Sequence, residues 1–538
     1  MANRRSIRQI TDFTTNAGLS RRRLLQTGAA GVGAAALAPV FGMQGVRGQT
    51  AITRGGTLII GTAQQIQTLD PHKTGLRNNR NSWVGLFSFL SRFDDQGIPQ
   101  PFLAESWEVA ADGLSWTFKL RPNVKFHNGR AMTADDVKFS LDRVRDPEQG
   151  SNLANVLTPI SQVEVVDPAT VKIDTSEPYG ALAAALCPIA IVAQENVDQI
   201  ATNPIGTGPF KLKEYLSGEK LDLDKNPDYW ETGEDGQALP YVDAVSIRTL
   251  TDTNALFNAL STGTVHGFWQ MPNQIQVQAA SVKEIQLVPS LFNTTYDEYF
   301  VQGDAPPFDD PSVRRALMLA LDKEAINEAG YFGLANPRLN NNIIAPGSWA
   351  ENTEIADIPR DPATAKQRFE AAGVTELKFL GYNETPQFKP ISQVMERNLN
   401  EIGIKLTLEF TDLTTWFSRI KLGTQDPWGD GNDGNAFTVN ISVTPPEPAI
   451  PLAAWGCKTH FGSHFCDEEL AAAAKAGGQA FETGARKTEY FKYQDIWQRD
   501  VPAVITCARA FTHAGLTKVH GLYDDDGALN YRLAWMES

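Results

Sequence analysis

Residues 55–62 read Gly-Gly-Thr-Leu-Ile-Ile-Gly-Thr, a short apolar run bounded by glycines that predicts a strand. From Leu114 to Leu120 apolar and polar positions alternate. Ala110-Ala111-Asp112-Gly113 supplies a turn before them, so this stretch and Trp107-Glu108-Val109 predict a hairpin. Thr133 is placed to cap a helix, with Asp135 and Asp136 in its first turn and Val137, Phe139, Ser140 and Leu141 following. The period then becomes helical over 311–329, where Pro311 opens a stripe of Val313, Ala316, Leu317, Ala320, Leu321 and Ile326. Residues 362–372 predict a helix closed by Gly373 and feeding the strand Leu377–Tyr382. Residues 389–402 predict another, closed by Gly403 and feeding Ile404–Leu408. Strand, helix, strand at this spacing describes a parallel βαβ unit, so the fold class is α/β. The Gly-, Asp- and Asn-rich stretch 426–435 predicts an exposed loop.

Length changes the picture, because 538 residues exceed one ordinary core and imply two or three domains. Charge changes it further. Residues 1–48 hold seven arginines against Asp12 alone, and the remainder carries 41 basic and 62 acidic residues, a net −21. No basic footprint is left to bind nucleic acid. The arginines belong to an address label: Ser20-Arg21-Arg22-Arg23-Leu24-Leu25 has the twin-arginine pattern, and a small-residue apolar run follows from Thr27 to about Met43. That run is short for a membrane span, and no later stretch approaches 18 uninterrupted apolar residues. Residues 1–48 are therefore expected to be removed as a signal peptide. The first cysteine is Cys187, so no lipoprotein cysteine stands near the cleavage region, and a free periplasmic protein is expected.

Four cysteines in an exported chain are expected to oxidise. Cys457 and Cys466 lie nine apart, a spacing a disulfide can close. Cys457, His460, His464 and Cys466 would, if reduced, equally offer zinc a Cys₂His₂ set. Cys187 and Cys507 have no pairing assigned by the sequence.

The stretch Leu103–Val144, LAESWEVAADGLSWTFKLRPNVKFHNGRAMTADDVKFSLDRV, resembles the signature of the peptide/nickel family of extracellular solute-binding proteins, the receptors of ABC importers. Further pieces match in the family's order: Leu69-Asp70-Pro71-His72, Gly206-Thr207-Gly208-Pro209-Phe210, Asn226-Pro227-Asp228-Tyr229-Trp230, and the run from Pro307 to Ala316. The resemblance implies a two-lobed periplasmic binding protein fold of the large class, with mixed sheets flanked by helices and a hinge of crossing strands. Lobe one would be 55–300, with a subdomain at about 90–220. Lobe two would be 301–509, and 510–538 would return to lobe one. It also implies a disulfide between Cys457 and Cys466, which with export weighs against zinc. Trp107, Trp116 and Phe118 are assigned to subdomain packing, and the Gly206–Pro209 segment to a turn, since no Lys follows it at P-loop spacing.

By order along the chain, the family's cleft-lining segments fall on three places here. They are Thr74, Gly75 and Leu76; Tyr382 and Asn383 at a strand end; and Asn440, Ser442 and Thr444. Glu447 is the one carboxylate comparable to the aspartate with which peptide receptors hold an α-ammonium. Trp269 would form an apolar or stacking wall. The expected partners are a small-molecule or peptide ligand and an inner-membrane ABC permease, with the receptor a monomer. No cofactor, resident metal or catalytic residue is assigned. A peptide or peptide-like solute is the leading ligand; an oligosaccharide, an opine or a metal chelate is the alternative. For chelates, only His72, His127 and His266 lie near cleft segments. An exported hydrolase is the competing class, but no Gly-x-Ser-x-Gly, His-Glu-x-x-His or CxxC motif supports it.

Overall fold

The alternation at 114–120 buries Trp116, Phe118 and Leu120 on one face. Ser115–Leu120 pairs antiparallel with Ala104–Val109, Trp107 standing opposite Phe118, and Gly113 takes the φ of +73° that the turn requires. Thr170–Thr175 and Ile160–Asp167 complete a four-stranded antiparallel sheet. The helix Ala134–Arg145, capped at Thr133 by a reciprocal box with Asp136, lies on it and drives Val137, Leu141 and Val144 into the subdomain core.

A computed structural model describes residues 52–537 apart from 74–76, 95, 152, 302, 421–434, 445–446, 454, 456, 458–462, 464 and 524–528. The leader and nearly all of the 426–435 loop lie outside the described residues. No described helix is long and apolar enough to cross a membrane.

One sheet runs through the whole molecule. From one edge its strands are Lys405–Thr411, Glu376–Tyr382, Ala436–Thr444, Ile285–Val301, Ala503–Leu516, Gly267–Phe268, Thr57–Thr62, Ala244–Thr249, Lys220–Lys225 and Phe210–Leu216; Asn336–Pro337 adds a short rung. Glu376–Tyr382 and Lys405–Thr411 are parallel in register 376↔405, joined by the helix Phe388–Glu401, as the βαβ spacing predicts. The stripe at 311–329 is not one helix. Pro311–Ala320 stops at Leu321, in extended backbone, and Lys323–Tyr331 restarts behind Asp322, whose carboxylate accepts from Ala325 N–H. An acidic side chain that can cap is worth more at a break than inside a helix.

The sheet is shared by two cores. Leu58, Ile60, Phe210, Val245 and Phe268 pack with Ala514, Leu516, Leu529 and Tyr531. Tyr299, Phe379, Phe437, Trp455 and Trp497 belong to a second core, spanning residues 296–508. Two strands pass between them. Ile285–Val301, about 55 Å long at ~3.3 Å per residue, pairs antiparallel with Ala503–Leu516 from Ile285↔Leu516 to Phe300↔Ala503, and the register breaks between Pro289 and Thr294. The chain then closes the first core. Asn81 receives Leu529 N–H on its side chain at 2.9 Å and the Tyr531 hydroxyl on its carbonyl at 2.6 Å.

The subdomain touches the second core at a separate seam. Glu177 pairs with Lys475 at 2.6 Å and Gln479 at 3.0 Å, and Ala181 N–H reaches Gly478 O at 3.3 Å. A Cβ on Gly180 would meet Ala480 O at 1.8 Å, so only glycine permits this approach.

Candidate functional site

In both halves of the sheet, parallel strands present their C-terminal ends to the segment where the two long strands cross. From the second core these ends are Tyr382, Thr411 and Thr444. From the first they are Thr62 and Phe268, the latter leading through Met271, whose N–H donates to Thr512 O. Strand ends of this kind expose converging backbone groups and side chains, the usual ligand position in α/β sheets. The crossing segment is half-buried at 286–289, 440–442 and 509–512, although its flanks are fully buried.

Six polar side chains gather there. Asp297 is 1% exposed; its Oδ2 accepts from the Tyr331 hydroxyl and its Oδ1 has no hydrogen-bond partner among the described residues. Burial pushes its carboxyl up to about 6, against the opposing pull of Arg509 and Tyr331. The Arg509 guanidinium lies 5.1 Å from the Tyr331 ring centroid, with Nε unpartnered among the described residues. On the opposite parity of the same strand, burial raises Glu298 to about 7, and hydrogen bonds from Ser442, Trp455 and Asn440 partly offset this. Asn440 Nδ2 donates to Ser442 Oγ at 3.0 Å, and Ser442 donates on to Glu298 Oε2.

The structure therefore brings Asn440 and Ser442 together and connects them to Glu298. Tyr382, wedged between Phe388 at 5.0 Å and Trp416 at 4.9 Å, lies within electrostatic reach of Asp297 and Arg509. Asn383 is exposed at the strand end, its Nδ2 donating to Thr411 O at 2.9 Å. Thr444 pairs through its backbone with Thr294. Trp269 is 2% exposed, with Nε1 unpartnered among the described residues. Thr74, Gly75 and Leu76 lie outside the described residues.

Glu447 turns inward. It is 2% exposed and forms an ion pair with Arg486, and Tyr490 and Ala449 N–H donate to the same oxygen. The three histidines considered for chelates are also engaged in structure. His72 is 1% exposed between Arg143 and Ala190 O, His127 contacts Gly208 O at 3.1 Å, and His266 accepts from Ile59 N–H at 3.1 Å. Burial lowers His72 and His127 to about 4, which keeps them neutral.

Cys457 and Cys466 form a disulfide, whereas His460 and His464 lie outside the described residues. The expectation that all four cysteines oxidise needs correction. Cys187 packs with Phe93 and Ala184, while Cys507 sits in the second core, so the two buried thiols belong to separate clusters.

Asp297, Glu298, Arg509 and Tyr331 were missed from the sequence. The signal that could have found them is charge inside a strand: Tyr296-Asp297-Glu298-Tyr299 and Ala508-Arg509-Ala510 interrupt runs otherwise suited to burial.

Comparison with known proteins supplies the remaining findings. The profile of bacterial extracellular solute-binding proteins, family 5 middle, matches residues 99–462. The glutathione-binding protein GsiB of Salmonella typhi is 28% identical over 367 residues, 66% of this chain and 69% of that protein. Among solved structures, HbpA2 of Haemophilus parasuis superposes with a TM-score of 0.77 at 22% identity, over 90% of this chain and 100% of that one. The binding protein AgaA of A. tumefaciens, in complex with agropinic acid, gives 0.72 at 26% identity, over 90% and 99%.

Proposed function

The chain belongs to the bacterial extracellular solute-binding proteins of family 5, and on that premise we propose that it captures a small peptide-like solute where the two long strands cross. It would then deliver the solute to an inner-membrane ABC permease. The observation that carries this reading is the convergence of C-terminal strand ends from both lobes on a half-buried segment bearing uncommitted polar groups. Tyr382, Asn383, Asn440 and Ser442 would line the second-lobe side and Trp269 the first. Asp297, Glu298 and Arg509 would form the floor. Thr74, Gly75, Leu76 and Thr444 complete the proposed lining from the order of the family's segments. Glu447 is better suited to holding lobe two together than to holding an ammonium, because Arg486 already neutralises it.

The twin-arginine motif at 20–25 supports export to the periplasm by that pathway, and the position of the first cysteine supports a receptor without a lipid anchor, which we read as a monomer. An opine is the second reading, favoured by the 26% identity to AgaA.

Mass spectrometry of compounds released on denaturing the purified protein, followed by a thermal-shift screen of peptides, tests the proposal. A true ligand raises Tm with the logarithm of its excess over Kd. Turnover of a screened compound without saturable binding would defeat the receptor reading.

A further inference from the structure

The seam between the subdomain and the second core is built from residues outside the crossing strands. The helix Glu468–Gln479 belongs to the second core through Leu470, Ala473 and Ala474, yet its last turn and the residues after it lie against the subdomain. The Phe481 ring lies 5.9 Å from that of Trp116, and 2.8 Å from where a Cβ on Gly113 would stand. Ala449, which opens the second-lobe helix Ala449–Ala453, packs in the subdomain core. Ala181 N–H donates to Gly478 O at 3.3 Å, and a Cβ on Gly180 would fall 1.8 Å from Ala480 O. Lys475 and Gln479 both donate to Glu177, at 2.6 and 3.0 Å.

Every partner in these contacts belongs to the chain, so they count toward closure of the lobes whatever lies between them. Their make-up is that of an interface which parts. The side chains of Lys475 and Glu177 are 59% and 41% exposed and Phe481 is 40% exposed, whereas Leu58, Phe210 and Trp497 in the two cores are at 0%. Small, partly polar contacts between domains of one chain leave relative motion possible. The register break between Pro289 and Thr294 gives the crossing strands a place to bend.

We propose that this seam is a latch between the lobes that acts independently of solute. It draws the open–closed equilibrium toward the closed form by about tenfold, the worth of one hydrogen bond and one exposed ion pair. A solute enters only while the seam is parted, and the seam adds to the retention of any solute that fits. This rests on the crossing strands acting as a hinge, and not on which solute is bound.

Amide hydrogen exchange of the full mature chain, dialysed until mass spectrometry detects no bound compound, tests the latch without any solute. The Ala181 N–H reads the seam directly, and in the wild type its exchange should be slowed about tenfold against an unstructured amide. Gly180→Ala should remove that protection, because its methyl group cannot coexist with Ala480 O, and should enlarge the radius of gyration in solution scattering. Lys475→Glu sets like charges together without touching the backbone, and should speed Ala181 exchange about threefold. Adding Glu177→Lys to it should restore the wild-type rate. The strands Ser115–Leu120 and Thr170–Thr175 should exchange equally slowly in all four proteins, which separates parting of the seam from unfolding of the subdomain. If Gly180→Ala does not fold, the charge-reversal pair decides. An Ala181 amide unprotected in the wild type, or equally protected in the wild type and Lys475→Glu, would overturn the latch. Either result would leave the receptor reading intact, since that reading stands or falls on the solute screen.

Discussion

Two buried ionic clusters in this molecule have similar composition and opposite character. In the first lobe, Arg143 grips Asp70 through two hydrogen bonds of 2.6 and 3.0 Å. His72 Nδ1 contacts the same guanidinium at 2.9 Å, and its Nε2 contacts Ala190 O at 2.8 Å. Burial alone would raise the Asp70 carboxyl, but Arg143 outweighs it and leaves the group below the usual range. At the crossing segment an arginine, a histidine and an aspartate are again buried or half-buried, yet Arg509 Nε, His513 Nε2 and Asp297 Oδ1 all lack partners among the described residues. In the first cluster both Asp70 oxygens and both His72 ring nitrogens find partners in the chain, only Arg143 Nε lacking one among the described residues, and the cluster fastens the segment after the first strand to the subdomain helix. The second is unfinished. Types of residue do not separate a structural polar network from a candidate binding site; whether the carboxylate and the imidazole are satisfied from within the chain does.

The sharpest way to break that contrast is to remove one member of the finished cluster. Arg143→Ala leaves Asp70 buried without its counter-charge and should cost about 3–5 kcal/mol, read as lost unfolding free energy of the first lobe in urea. Solute affinity of the folded fraction should change less than twofold. An effect on affinity larger than the effect on stability would erase the distinction.

Glu447 offers the next test, since the sequence places it in the site and the structure places it in a network. Glu447→Gln should lower unfolding free energy by about 1–3 kcal/mol by weakening its bond to Arg486, with little change in solute affinity.

The smallest effect is one of pH. His72, His127 and His513 are each lowered by burial to about 4, so the folded state binds fewer protons than the unfolded state between pH 6.5 and 4. Stability falls as pH drops through that window. Asp297 and Glu298, raised to about 6 and about 7, act in the opposite sense: they take up protons earlier when folded, and so restore stability as pH falls below 7. The double variant Asp297→Asn/Glu298→Gln removes this compensation. Its Tm should decline more steeply than the wild type's from pH 7 to 4.5, and parallel declines would contradict the assignment.

What the sequence reveals follows from range. The Thr133 cap, the 104–120 hairpin and the βαβ unit from 376 to 411 rest on neighbours within about thirty residues, and all were legible. Asp322, inside an apolar stripe, was absorbed into a helix because periodicity does not weigh a cap against continuation. The crossing strands were illegible as such, since Ile285 meets Leu516 only in the folded sheet. For the same reason Asn440 and Ser442 could be named from family order, whereas Glu298, which receives the Ser442 hydroxyl, and Arg509 beyond it could not.

The late return of the chain to its first lobe sets a timetable for biosynthesis. Gly267–Phe268 waits for Gly515 and Ala514, almost 250 residues downstream, and Asn81 waits for Leu529 and Tyr531. At ribosomal speeds of about 5–20 residues per second, the edge of the first lobe stays open for roughly 10–50 s after it emerges. During that interval an unmatched strand edge and its apolar flank are available to aggregate. A chain truncated before about residue 514 could not close that edge, so the last stretch of translation serves as a checkpoint on completeness.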